Sequence, residues 1–187
     1  MKNHVKIGII LCIVTTIAGV LLGFSYEGTK ELIKENSKID KKELQALMPE
    51  ATTVKTSNLD LSSNEYVKEI LEGVNNDVPC GYLIKTVSKG FHGDVEIMVS
   101  LNLEGSVNAI KILSHSETPG VGSKIEKKDF SDKFQLKKGD KLSLVKNSSS
   151  KANEVEGISG ATVSSTAVVN GVNEALKIFN STLKKGA

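Results

Sequence analysis

The hydrophobic positions of this chain follow different rhythms in different stretches. Residues 7–24, IGIILCIVTTIAGVLLGF, form an uncharged run whose only polar members are Thr15 and Thr16. As a helix it is about 27 Å long at 1.5 Å per residue, enough to cover the hydrocarbon of a bilayer. Hydroxyls inside such a helix bond back to the preceding turn, so the threonines do not forbid insertion. Residues 27–48 are rich in helix formers, with Leu32, Ile33, Ile39, Leu44, Leu47 and Met48 as apolar positions, and Pro49 ends the pattern. This predicts a juxtamembrane helix, broken near Asn36 and Ser37. Residues 50–79 are polar, and a second helix is expected over 63–71, opened by a Ser-Asn cap.

After Pro79 the period changes to two. Tyr82, Ile84 and Thr86 alternate with Leu83, Lys85 and Val87; Val95, Ile97, Val99 and Leu101 alternate with Glu96, Met98, Ser100 and Asn102; VNAIKIL follows at 107–113. Three antiparallel strands in a meander are expected, joined by turns at 90–93 and 104–105, with one face on the core. A short helix is expected over 123–134, a strand over 142–145 and a polar loop over 147–152. Val168, Val169, Val172, Leu176, Phe179 and Leu183 then recur at helical spacing, predicting a terminal amphipathic helix over 163–183. The expected fold class is α+β: an antiparallel sheet flanked by helices, preceded by a single N-terminal transmembrane helix.

With 187 residues the chain has room for one anchor and one domain. The expected division is 1–26 as cytoplasmic N-terminus and anchor, 27–49 as linker, and 50–187 as the extracytoplasmic domain. Lys2 and Lys6 are the only formal side-chain charges before Glu27, which leaves the N-terminus in the cytoplasm and the domain outside a cell membrane. The run is longer than a signal-peptide core, and no small-x-small cleavage site follows it before Tyr26. All 24 basic residues are lysine, which weakens the case for nucleic-acid or bidentate phosphate recognition. Residues 124–151 hold 9 lysines against 4 acids, a local basic patch within an otherwise acidic or neutral domain. Cys12 lies in the apolar run, so Cys80 has no intramolecular disulfide partner outside it, and no histidines stand at metal-ligand spacing.

Two segments bear on chemistry. EGISGAT at 156–162 runs into the terminal helix. Its small residues let backbone amides converge where a helix N-terminus offers unpaired N–H groups, an arrangement that holds a phosphate and that also serves as an ordinary turn and cap. SETPGVGSK at 116–124 ends a strand with a proline and two glycines, which by itself means a tight loop.

Together, ISGATVSS, the ETPGVGSK loop about forty residues upstream, the GFHGDVEIMV turn and strand, and the single anchor resemble the FMN-binding domain family. Within it the likeness is to the G subunit of the Rnf electron-transport complex, with the C subunit of the sodium-translocating NADH:quinone oxidoreductase as a relative. The resemblance implies a carrier of electrons with no independent catalytic turnover, maturing through a flavin transferase that joins FMN covalently to Thr162 as a phosphoester. It implies Ser159, Gly160, Ala161 and Ser164 around the phosphate, and Glu117, Thr118 and Val121 against the flavin. Its partners would be the other membrane subunits of an ion-translocating ferredoxin:NAD oxidoreductase. Membership of a quinone reductase and a stand-alone anchored flavoprotein are the alternatives. The chain departs from the family's pattern at Glu156, where aspartate is usual, and at Val121, where leucine is usual.

Overall fold

The computed structural model describes residues 6–17, 19–20, 23, 41–57, 59, 61, 64–147 and 151–184, in two compact units, Met1–Asp40 and Lys41–Ala187. In the first unit, residues 6–17 are helical and exposed. Thr15 Oγ1 donates to the Leu11 and Cys12 carbonyls at 3.0 Å, and Thr16 Oγ1 to Cys12 at 2.8 Å, the back-bonding expected of hydroxyls in an apolar helix. Among the described residues no helix is long and apolar enough to cross a membrane. The expected transmembrane helix over 7–24 is therefore not found as one span: residues 6–17 measure about 18 Å, short of a hydrocarbon core of about 30 Å, and part of the run lies outside the described residues. Most of the expected juxtamembrane helix, residues 27–40, lies outside them too.

The second unit opens with α1 (Lys41–Leu47) and continues as a five-stranded antiparallel meander: β1 (Thr53–Thr56), β2 (Val67–Asn75), β3 (Val78–Lys89), β4 (Asp94–Asn102) and β5 (Val107–Ser114), in that order across the sheet. Ile84 pairs with Val99 and Val99 with Ile110, which sets the apolar residues of the middle strands on one face. Of the helix expected over 63–71, residues 67–71 are instead the start of β2, residues 64–66 lead into it without helix, and residue 63 lies outside the described residues. Val67, Ile70, Leu71 and Val74 stand at helical spacing because register shifts between Val67 and Glu69, and between Gly73 and Val74, interrupt the strand's period of two. Asn76 and Asp77, with φ of 50° and 64°, make the two-residue turn into β3.

Both faces of the sheet are covered. On one, Ile84, Val95, Ile97, Val99, Leu101 and Ile110 pack on α3 (Thr162–Ile178) through Val168, Val172, Ala175 and Leu176. On the other, Met48 follows α1 and fills the space over two glycines: a Cβ on Gly73 would meet Met48 Sδ at 2.3 Å, and one on Gly81 would meet Met48 Cε at 3.0 Å. Cys80 is a free thiol beside the same Met48, its Sγ 3.8 Å from Sδ. The terminal helix turns π-helical over Phe179–Leu183, which brings Phe179 against Tyr82 with ring centroids 6.0 Å apart.

The segment between sheet and α3 is a chain of short pieces. The single helix expected over 123–134 is a 3-10 turn (Gly122–Glu126), α2 (Lys128–Ser131) and a second 3-10 turn (Asp132–Phe134), which together bury Ile125, Phe130 and Phe134. The expected strand over 142–145 is β6 (Ser143–Val145), paired in parallel with β7 (Glu154–Glu156). This small ribbon brings residues 156–161 to the start of α3.

Candidate functional site at the start of the terminal helix

Two loops and a helix from distant parts of the sequence meet on one buried carboxylate. Glu117 is 4% exposed. Its Oε1 accepts the backbone amides of Phe91 at 2.8 Å and His92 at 3.2 Å, and its Oε2 accepts the Ser164 hydroxyl of α3. Burial works against the charged form, but the Ser164 hydroxyl, the two amides and the nearby His92 outweigh it and hold the carboxyl below its ordinary value. The approach needs glycine on two sides. A Cβ on Gly90 would stand 2.4 Å from Glu117 Oε1, and one on Gly122 would stand 2.8 Å from Ser164 Oγ and 2.9 Å from Glu117 Cβ. His115 completes the support: its Nδ1 accepts the Glu117 amide at 3.0 Å, and its Nε2 lies 3.0 Å from Glu126 Oε1.

The Glu117 clamp fixes the N-terminus of α3 in space. Ala161 occupies the N-cap position, with φ −128° and ψ 44°, and no side chain caps the helix. The loop before it is held instead by Ser165, whose Oγ accepts the Ile158 amide at 3.0 Å and donates to the Ala161 carbonyl at 2.9 Å. Gly160 turns at φ +79° with open space where a Cβ would be. The first-turn amides of a 17-residue helix thus carry no capping side chain, beside an exposed Thr162.

Two clefts share Thr162 in their linings. The first, of about 290 Å³, is lined by Phe91, Thr118, Val121, Gly160, Thr162 and Val163 among others. Phe91 is 64% exposed, Val163 50% and Val121 44%, so its rim is apolar. The second, of about 430 Å³, is lined by Leu144, Val145, Lys146, Gly157, Ile158, Ser159, Gly160 and Thr162. Gly160 and Thr162 belong to both.

The structure therefore gathers all eight residues singled out in the sequence around one helix start. Thr162, Gly160, Ala161, Thr118 and Val121 line the first cleft, and Ser159 lines only the second. Glu117 and Ser164 also border the first cleft, but the carboxylate and hydroxyl are engaged with each other. Thr118 Oγ1 lies 3.3 Å from His92 Nδ1. Sequence reading missed Phe91 and Val163 in the first cleft and Leu144–Lys146 in the second. Phe91 left a signal, an aromatic between two turn glycines; β6 was expected as a strand, with nothing in its sequence to place it at the site.

The site lies within a recognisable stretch of sequence, since residues 90–177 match the FMN-binding domain. The match begins at the Gly90 turn and ends one residue before the close of α3. Among curated relatives, the chain is 40% identical over 96 residues to the G subunit of the proton-translocating ferredoxin:NAD(+) oxidoreductase complex of Clostridium ljungdahlii, covering 51% of each chain. It spans only about half the length of that relative. It is 27% identical over 193 residues to the G subunit of the Na(+)-translocating complex of Acetobacterium woodii, covering 96% of this chain and 93% of that one. Its fold resembles two solved structures of the C subunit of the Na(+)-translocating NADH-quinone reductase. That of Parabacteroides distasonis has a TM-score of 0.56 at 20% identity, covering 80% of this chain and 85% of that one. NqrC of Shewanella oneidensis has a TM-score of 0.54 at 14% identity, covering 75% and 74%.

Proposed function

We propose that this protein is an electron-carrying flavoprotein of an ion-translocating ferredoxin:NAD oxidoreductase complex, with FMN attached through its phosphate to Thr162. The observation that carries the reading is an exposed Thr162 at the uncapped start of α3, inside a matched FMN-binding domain. The residues fit the group. A phosphodiester on Thr162 Oγ1 keeps one negative charge, and the helix end offers it amide donors and a favourable dipole. Open space at Gly160 leaves the backbone approachable. The apolar rim of Phe91, Val121 and Val163 suits a flat ring system, and Thr118 adds a hydroxyl beside it. Bound FMN supplies the uptake and release of electrons, while these residues attach, orient and tune it.

Maturation needs a flavin transferase. The Thr162 oxygen bonds to the FMN phosphorus of FAD, the P–O bond to the adenylate breaks, AMP leaves and the hydroxyl proton is lost. The run over 7–24 serves as a single membrane-spanning anchor, with the N-terminus cytoplasmic, the domain extracytoplasmic and the other membrane subunits as partners. The relatives matched in sequence, both G subunits of ferredoxin:NAD oxidoreductase complexes, favour this complex over the quinone reductase, whose C subunit shares the fold. The test is the intact mass of the full chain co-produced with a flavin transferase, beside Thr162→Val. A gain of one FMN less one water, absent in the variant, is expected. An unmodified wild-type chain would overturn the attachment.

A further inference from the structure

Thr162 lines two clefts that differ in the charged group each contains. The first contains the Glu117 carboxylate, buried and held in its charged form. The second has apolar walls from Leu144, Val145 and Ile158, with the exposed Lys146 beside them. It is the larger of the two, and Gly160, whose missing side chain leaves open space, adjoins both. Thr162 opens the helix, with no helical turn before it to bar a staggered position, so a group on Oγ1 has more than one direction in which to leave.

We infer that the cleft formed by Leu144, Val145, Lys146 and Ile158 is a second seat for the isoalloxazine ring of an FMN held at Thr162. The inference rests on the attachment proposed above. It assigns the β6 edge a binding role that follows from neither the ETPG loop nor the attachment motif. The two seats differ in electrostatic surroundings. A ring beside the Lys146 ammonium takes up negative charge more readily than a ring beside the Glu117 carboxylate, so occupancy and electron affinity are linked. Both are positioned by the same residues, Gly160 and Thr162, without any movement of the sheet.

The chain contains no tryptophan, and an indole in contact with a flavin quenches its emission. This permits a direct test on the flavin-loaded full chain. Lys146→Trp places an indole at the second cleft, and Val163→Trp places one at the first; both sites are exposed, so neither disturbs the core. Intact mass is read first, and a chain without flavin overturns the attachment itself. With full loading, Lys146→Trp is expected to lose between about a tenth and about nine tenths of its emission amplitude, the range for two seats within tenfold in population. Val163→Trp is expected to lose the complementary share, and the double variant nearly all. The lost amplitude should be independent of solvent viscosity. An unchanged lifetime distribution in Lys146→Trp, or a loss that recovers as viscosity rises and so reports collisions of a free ring, would overturn the second seat.

Discussion

At the residue scale, the decisive side chain is Glu117, because one carboxylate joins the 90–93 turn, the 116–124 loop and α3. Its removal leaves two backbone amides and a hydroxyl without their acceptor, a loss of about 1–3 kcal/mol. The pH dependence has a definite sign. Since the folded carboxyl lies below its ordinary value of 4.5, its contribution is fully present above that value and disappears as pH falls through the lower folded one. Urea unfolding of Glu117→Gln against wild type should therefore show a stability gap near neutrality that closes in acid, where the wild-type side chain is itself protonated. A gap of constant size down to about pH 3 would contradict the charged state of Glu117. The two site segments were legible because each is contiguous: ETPG and SGAT announce their loops in four letters. That Glu117 and Ser164 bond to each other was not, since 47 positions separate them and only the fold brings them together.

At the element scale, the alternation in β3, β4 and β5 and the helical spacing of α3 revealed most of the core, because each element buries one regular face. β2 was misread because its bulges reproduce a helical rhythm. β1 and β7 left no pattern, being 4 and 3 residues long with few buried positions. The elements around the site are joined by close contact as well as by hydrogen bonds. The 3-10 turn Gly122–Glu126 meets α3 where Gly122 faces Ser164, and a methyl there must displace both Ser164 Oγ and Glu117. Gly122→Ala is expected to cost about 1–3 kcal/mol. It should also speed hydrogen exchange of the Phe91 and His92 amides, whose acceptor is pushed away. Unaltered exchange at those two amides would mean that the loop and the helix move independently.

At the scale of the whole molecule, net charge says little and its placement says more. The formal charge is only +2, yet 9 lysines against 4 acids fall between residues 124 and 151, the stretch that joins the first cleft to the second. Some of that charge is internally engaged, with Lys133 3.3 Å from Glu156 and Lys151 3.0 Å from Glu154. Lys127, Lys128, Lys138 and Lys141 remain on exposed positions. A same-sign surface raises the encounter rate with a partner of opposite charge, and salt screens the effect beyond about 8 Å at physiological ionic strength. On the function proposed above, reversing Lys127, Lys128 and Lys138 to glutamate in the assembled membrane complex is expected to slow reduction of the flavin by about tenfold at low salt, with the content of attached flavin unchanged. The wild-type rate should fall as salt is added, while that of the variant should stay flat or rise. Equal rates at low ionic strength would mean that the patch is a solvated surface and that partner docking is steered from another side of the domain.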